Sequence, residues 1–478
     1  MAIARPKLSN RPRLTVLSDE QKKEIHLAAL EVLERTGIKM THEKGREILS
    51  GAGAKVSGNR VRIPSWMVED AIRKAPSRLI LGNRKGERSV FLEGDRSFYG
   101  PSLDCLEYLD PATNTRTDFT MDHCRITASL TDHLPNFDWS MVIGMASDVP
   151  PEISDRVVVR QALTHSTKPL VFCTHNVENE KDVFEMALAI CGGKENFEKA
   201  PTIVHYSEPI SPLTYYDPAV DKILFSVENG IPLINFSAPQ LGGSSPATFA
   251  GTIVQGIAES LSGLVLGQNT CPGASMIFGS QTTIMDMRTT IFSYGAPEMA
   301  LMISAMAEMA QFYQLPFFGT AGSTDAKFND PQAGIEATFQ TLTAGLVGSS
   351  LVHDCSSWMD HGSLVSPAYM VMVNEILHMV NQFMKGIEIS DETLAVDLID
   401  KVGPGGNFIR EQHTMDNFKN VWYSDLFDRT IFKIWEKGGS KTFEDRLREK
   451  TLKAMAHETE PLPPEIVQEF DQMQKHWK

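Results

Sequence analysis

Residues 351–362, LVHDCSSWMDHG, bring two histidines, two aspartates, a cysteine and a tryptophan into twelve positions. Such a set suits a metal site, a nucleophile with its base, or a polar and aromatic recognition surface. His353 and Cys355 stand at i, i+2, so in an extended chain they share a face. His205 and Cys271 would have to join them from afar to complete a zinc shell. No single stretch supplies three ligands, so no metal is expected, and the better reading is a hydrogen-bonded histidine beside a small apolar cysteine. Nucleophilic serine chemistry lacks its G-x-S-x-G elbow. Glu375-x-x-His378 is half of a di-iron motif whose other parts are absent, and the methionine-rich run 299–313 reads as core filling.

Carboxylates and aromatics elsewhere widen the choice. Glu208 is a candidate for paired-carboxylate sugar cleavage, but no second carboxylate stands at a comparable position. TAGST at 320–324 offers an anion nest without a basic partner. The chain carries a net charge of −15 with no basic stripe. That speaks against nucleic acid as a partner and favours a cationic ligand or a basic patch on a protein. Six dispersed cysteines without a C-x-x-C pair fit reduced thiols. The N-terminus MAIARPKLSNRPR has no apolar segment of the secretory kind and reads as a frayed tail, so a cytoplasmic protein is expected. The apolar run 250–267 carries a glutamate, serines and glycines, which fits a buried helix and not a membrane span.

The elements that must position these groups follow a rhythm. Short β-rich runs occur at 96–99, 138–145, 169–174, 202–207, 232–237, 274–279, 316–320 and 349–354, each followed by a stretch of helical spacing. Several helices open on Ser-Pro, Asp-Pro or Ala-Pro. Eight alternations of strand and helix predict an α/β fold, a (β/α)8 TIM barrel over 96–388. An open doubly wound sheet is the runner-up, but YGPSLD after the first strand is no dinucleotide fingerprint. Residues 1–95 read as an N-terminal helix and hairpin module. There Ser18 and Gln21 form a capping box for a helix over 19–36 that Gly37 ends. Residues 389–478 read as a C-terminal helical extension packed on the barrel, beginning with a capped helix that ends at Gly403. Such additions favour a homo-oligomer.

Barrel active sites lie at the carboxyl ends of the strands. Those ends place Tyr99 and Ser102; Ser147; His175 and Asn176; His205, Tyr206 and Glu208; Gln240; Gln281; Thr320, Ser323 and Asp325; and His353, Asp354 and Trp358. The set is rich in hydrogen-bonding and aromatic groups, with few carboxylates and no lysine or arginine.

Six strings carry a family likeness: LSDEQKKEIHLAALEVLERTGI, GAGAKVSGNRVRIP, DPATNTRTDFTMD, TDHLPNFDW, VGPGGNFIREQHT and PLPP. Together they resemble the trimethylamine methyltransferase family over about residues 14 to 470. The resemblance implies a (β/α)8 barrel that moves a methyl group from a methylated amine to the cob(I)alamin of a partner corrinoid protein, with no cofactor tightly bound to the chain itself. Archaeal trimethylamine enzymes of that family carry pyrrolysine, and this chain holds only standard residues. It therefore resembles the branch acting on quaternary amines, with glycine betaine favoured over proline betaine or carnitine. A quaternary ammonium is held by aromatic faces. The resemblance then implies Tyr99, Tyr206, Phe318 and Trp358 around the cation. For a carboxylate it implies His353, His205, Gln240 or amides near Thr320 as donors. Glu208 and His353 are the candidate catalytic residues, Glu208 as counter-charge or as a holder of the pocket. Two alternatives stand beside this: a metal-dependent barrel hydrolase using His205, His353, Cys355 and Glu208, and a non-catalytic betaine-binding protein.

Overall fold

The computed structural model describes residues 8–477. Eight short strands, β1 (Phe98–Tyr99), β2 (Ser140–Met141), β3 (Leu170–Phe172), β4 (Ile203–Ser207), β5 (Leu233–Ser237), β6 (Met276–Ser280), β7 (Phe317–Thr320) and β8 (Leu351–His353), form one parallel sheet in the order β2-β3-β4-β5-β6-β7-β8-β1. The sheet closes on itself at the β1–β2 seam. The Asp138 amide donates to the Tyr99 carbonyl at 2.7 Å, and the Tyr99 amide donates to Asp138 Oδ2 at 2.8 Å. Each strand is followed by a helix: α1 (Met121–His133), α2 (Pro151–His165), α3 (Val177–Cys191), α4 (Asp217–Asn229), α5 (Phe249–Thr270), α6 (Pro297–Phe312), α7 (Pro331–Val347) and α8 (Pro367–Met384). The expected (β/α)8 barrel is present, and all eight predicted runs hold its strands. Every strand begins one or two residues inside its run, and only β2, β3 and β8 also stop short of its carboxyl end, while β6 runs one residue past it.

Alternation along the strands sorts residues between two layers. Val204 and Tyr206, Ile234 and Phe236, and Phe318 and Leu351 face the barrel axis with Trp139 and Met141. Their neighbours face the helices. Gly100 has no room for a Cβ, which would lie 2.3 Å from the Trp139 ring, so this glycine lets the indole fill the axis. The hairpin Leu79–Gly82/Arg88–Leu92 inserts Leu79, Leu81, Val90 and Leu92 into the same axial cluster and closes the barrel away from its active face. Helix α5, the one described helix long and apolar enough to cross a membrane, is mostly buried beneath the N-terminal helices.

The local sequence signals are mostly kept. Ser18 and Gln21 make the capping box, and the helix runs Asp19–Glu31 before a π-turn that Gly37 ends at φ 71°. The expected helix ending at Gly403 is broken at Ala395, whose φ of 50° leaves Asp391–Leu394 and Val396–Val402 as separate turns. The expected frayed start falls partly outside the described residues. From Leu8 the chain is already tied down, pairing Leu8–Asn10 with Ile387–Ile389, and the Leu14 amide donates to the Leu346 carbonyl at 3.0 Å.

Candidate active site

At the mouth the axial side chains change from aliphatic to aromatic and acidic. Tyr206 lies 5.0 Å from Phe236 and 6.1 Å from Phe318, centroid to centroid, and Phe236 meets Phe318 edge-on at 5.6 Å. The Tyr206 hydroxyl donates to Glu208 Oε2 at 2.8 Å. Tyr206 and Glu208 stand at i, i+2 on one face of β4 and its continuation, which is why a single strand presents both. Above this floor the half-buried Trp358 packs at 4.7 Å from Tyr294 and 6.2 Å from His353. Its indole Nε1 donates to the Leu103 carbonyl at 2.6 Å, which fixes the plane of the ring.

Two carboxylates reach water while the barrel walls surround them. Glu208 and Asp104 are both exposed. Enclosure pushes the Glu208 carboxyl up, opposed by the Tyr206 hydroxyl and then by Lys222. Asp104 is pushed up to about 6 by enclosure and then by the charge of Glu208, with His175 and Lys222 acting against the shift. Asp104 also lines a cavity of about 160 Å³ with Met141, Cys173 and His175 at the ends of β2 and β3. The buried Lys222 on α4 donates to the Thr174 carbonyl at 2.8 Å. The mouth is thus an aromatic floor under two coupled acids.

The loop after β8 is built under strain. Asp354, Trp358, Asp360 and His361 all have φ between 47° and 68° without being glycine. Such conformations persist where surrounding contacts over-determine them, and they cluster at working sites. Here Arg116 binds Asp360 at 2.7 Å and also pairs with Glu107. That ion pair, with Leu364–Val365 pairing Glu107–Tyr108, ties the β8 loop to the loop of its neighbour β1.

The structure brings Tyr206, Glu208, Phe318, Thr320, His353 and Trp358 together and leaves three expected residues outside. Tyr99 points away from the axis: its hydroxyl approaches α7 at Gly345, where a Cβ would come within 2.9 Å, so it cannot line a cation cage. His205 also faces outward, fully buried between β4 and the helices. Its Nδ1 lies 2.8 Å from Ser226 Oγ and 3.0 Å from Glu180 Oε1. Both displacements follow from pleat parity, since each is one residue from an inward neighbour. The Gln240 amide folds over its own turn, where a Cβ on Gly243 would lie 3.0 Å from Gln240 Oε1.

His353 is inward but engaged at both nitrogens, at 2.8 Å from Asp354 Oδ1 and 2.8 Å from Thr320 Oγ1, and its face stacks on Phe318 at 4.3 Å. Fully buried, it has no donor to spare for a substrate carboxylate, and Thr320 is occupied with it. Burial pushes the Asp354 carboxyl up and the adjacent His353 opposes this. The hydrolase alternative loses its ligand set, because His205 and His353 lie on opposite sides of the barrel wall. Cys355 is buried on the outer side with its thiol pushed up by burial. Among the described residues no group of three His, Cys, Asp or Glu side chains could hold a metal ion.

Asp104, Phe236 and Tyr294 belong to the mouth without having been singled out. Phe236 was legible as the inward residue of β5. Asp104 was hidden because β1 has only two residues, so the loop beyond it, with Asp104 at φ 61°, supplies the side chain.

A sequence model described as trimethylamine methyltransferase matches residues 2–476. A trimethylamine methyltransferase of Desulfitobacterium hafniense is 33% identical over 456 residues, covering 95% of this chain and 92% of that protein. A glycine betaine methyltransferase from another strain of that species is 30% identical, covering 95% of each chain. A trimethylamine methyltransferase of Methanosarcina thermophila is 32% identical, covering 96% of this chain and 97% of the relative. The crystal structure of the Methanosarcina barkeri monomethylamine methyltransferase superposes with a TM-score of 0.51 at 13% identity, covering 92% of this chain and 88% of that one, a likeness of fold.

Proposed function

The chain belongs to the trimethylamine methyltransferase family, and from that premise we propose that it demethylates a quaternary amine, passing the methyl group to the Co(I) of a corrinoid carried by a partner protein. The observation that carries the reading is the aromatic floor of Tyr206, Phe236 and Phe318 beneath the acid pair Glu208 and Asp104. A quaternary ammonium donates no hydrogen bond. It is held by aromatic faces and by fixed negative charge, and both are present.

The same arrangement suits the bond that breaks. Co(I) in the partner's corrinoid supplies the nucleophile, and the amine departs as a neutral free base that needs no proton. Glu208 and Asp104 would hold the cation, Tyr206 fixes Glu208 through its hydroxyl, and the aromatic walls exclude water from the methyl group. Positioning of this kind is worth up to ~7–11 kcal/mol where the geometry is well set. Glycine betaine stands first among the donors, on the sequence reading and on the 30% identical relative that bears its name. His353 and Thr320 are engaged with each other and Lys222 with Thr174, so a betaine would be held by its ammonium end.

Exposed apolar side chains ring the mouth on the segments that follow β1, β2, β4, β5, β6 and β7: Leu106, Met145, Ile210, Phe249, Met287 and Phe328. They suit a protein that docks over the opening. The test is direct. Purified protein, a panel of glycine betaine, proline betaine, carnitine, choline and trimethylamine, and reduced cobalamin are mixed, and the cob(I)alamin spectrum should convert to that of methylcobalamin with at least one quaternary donor. Tight calorimetric binding of a betaine without any conversion would favour the non-catalytic binder instead.

A further inference from the structure

We propose that Gln281 is the residue that selects the methyl donor, donating from its side-chain amide to an oxygen at the end of the donor away from the ammonium group. The inference rests on the quaternary-amine reading and adds to it a group that discriminates among such amines. Gln281 is 3% exposed, and its Nε2 has no hydrogen-bond partner among the described residues. A buried amide left unpaired costs folding free energy, and a native chain keeps such a group where a ligand or water satisfies it.

The sheet fixes where this amide points. The offset that pairs Ser237 with Ser280 also pairs Gln240 with Thr283, and the Gln281 backbone N–H donates to the Ser237 carbonyl at 2.8 Å. The chain therefore keeps its alternation through residue 281. Ile277 belongs to the axial cluster, and a Cβ on Gly279 would lie 2.9 Å from Phe236 Cδ2 and 3.1 Å from Ile234 Cγ2. Gln281, two residues further on, faces the same axis one layer nearer the mouth. Its neighbour on the β5 side is Ala238, which packs on the axial cluster and is too small to crowd the amide. The register that pairs Ser280 with Gly319 sets Thr320 on the other side, and the Thr320 hydroxyl is taken by His353.

Place and polarity name the ligand. In the closed ring of strands β6 stands four places from β2, on the opposite side. Asp104 lines the cavity at the ends of β2 and β3, and Glu208 directly follows β4. Negative charge thus gathers on one side of the mouth, and an unpaired N–H donor stands across it. A trimethylammonium group goes to the acids and the aromatic floor, while an acceptor oxygen on the same molecule reaches the amide. The ammonium end carries the hold, and Gln281 orients the far end. A neutral donor suits that place, because a fixed cation there would compete with the substrate for Glu208. A carboxylate accepts a charge-assisted bond from the amide, stronger than the bond to the neutral hydroxyl of choline, and tetramethylammonium offers no acceptor at all.

Calorimetry on the full chain without any corrinoid tests this apart from methyl transfer. Wild type should bind at least one of glycine betaine, proline betaine and carnitine more tightly than tetramethylammonium. Gln281→Leu should weaken that betaine by about tenfold or more and leave tetramethylammonium within about twofold. Gln281→Glu should weaken the betaine further and tighten tetramethylammonium. Without ligand, Gln281→Leu should melt no lower than wild type, since it removes an unpaired buried donor. Equal weakening of both ligands, or unchanged betaine binding in Gln281→Leu, overturns the proposal. So does a Tm lowered by several degrees, because the amide would then serve the fold. A wild type that binds no betaine more tightly than tetramethylammonium overturns it without any variant. Failure of cob(I)alamin methylation would overturn the activity and leave these binding ratios standing.

Discussion

Asp104 and Glu208 carry the clearest residue-scale consequences. Two acids close enough for the charge of Glu208 to act on Asp104 attract a cation, and the attraction depends on their ionisation. Glu208→Gln removes the charge nearest the aromatic floor and should lower kcat/KM for a quaternary donor by about tenfold or more, the effect of about 1.4 kcal/mol. Asp104 ionises at about 6, so KM for a cation should fall as pH rises from 5 to 7, and Asp104→Asn should flatten that limb of the profile. The stability sign is the reverse. A carboxyl held at about 6 against an ordinary 3.8 keeps its proton in the folded chain where the unfolded chain releases it. Stability is therefore lost as pH rises through that window. Asp104→Asn should raise the Tm at pH 7.5 and not at pH 4, and should favour carboxylate-bearing betaines relative to choline, because one repelling charge is gone. An unchanged betaine-to-choline ratio would remove Asp104 from donor selection. Part of this was legible beforehand: residue type marked Glu208 as a counter-charge, but the two-residue β1 hid Asp104, and pleat parity turned Tyr99 and His205 outward where chain position alone could not decide.

At the scale of elements, the β8 segment shows what a rich residue set can conceal. Read as sequence, His353 looks like a ligand or a recognition residue. In the fold it joins β8 to β7 through Thr320 and binds one carboxylate oxygen of the fully buried Asp354. His353→Ala should therefore cost about 3 kcal/mol or more of folding stability, because Asp354 and Thr320 lose a buried partner. Cys355→Ala should cost much less. Denaturant unfolding of the two variants separates a structural hub from a substrate contact, since a pure contact would change KM and leave the midpoint alone. The eight strands were legible because proline, glycine and apolar runs punctuate them at regular spacing. Their true lengths were not, because the first residue or two of each apolar run precedes the paired stretch. The hairpin at 79–92 was missed as the barrel's floor because its apolar residues look like any edge hairpin until the axis they fill is known.

The whole molecule leaves apolar side chains exposed around the mouth of the barrel, on the segments that follow most of its strands. The ring around the mouth is interrupted by acids and suits a visitor. A chain of charge −15 with Asp104 and Glu208 at its opening also concentrates cations near the mouth, so donor capture should weaken with added salt. The ring makes the sharper prediction. Met287 is 72% exposed and Ile210 is 59% exposed, on the segments that follow β6 and β4. Neither lies on the aromatic floor. Replacing both by glutamate should raise KM for the corrinoid protein by about tenfold or more, the effect expected when apolar contacts are lost from the centre of an interface. Free cob(I)alamin needs no protein docking, so turnover with it should stay within about twofold of wild type. Equal losses with the free and the protein-bound corrinoid would place these residues in the methyl-transfer chamber instead, and no loss with either would move the docking face away from the mouth.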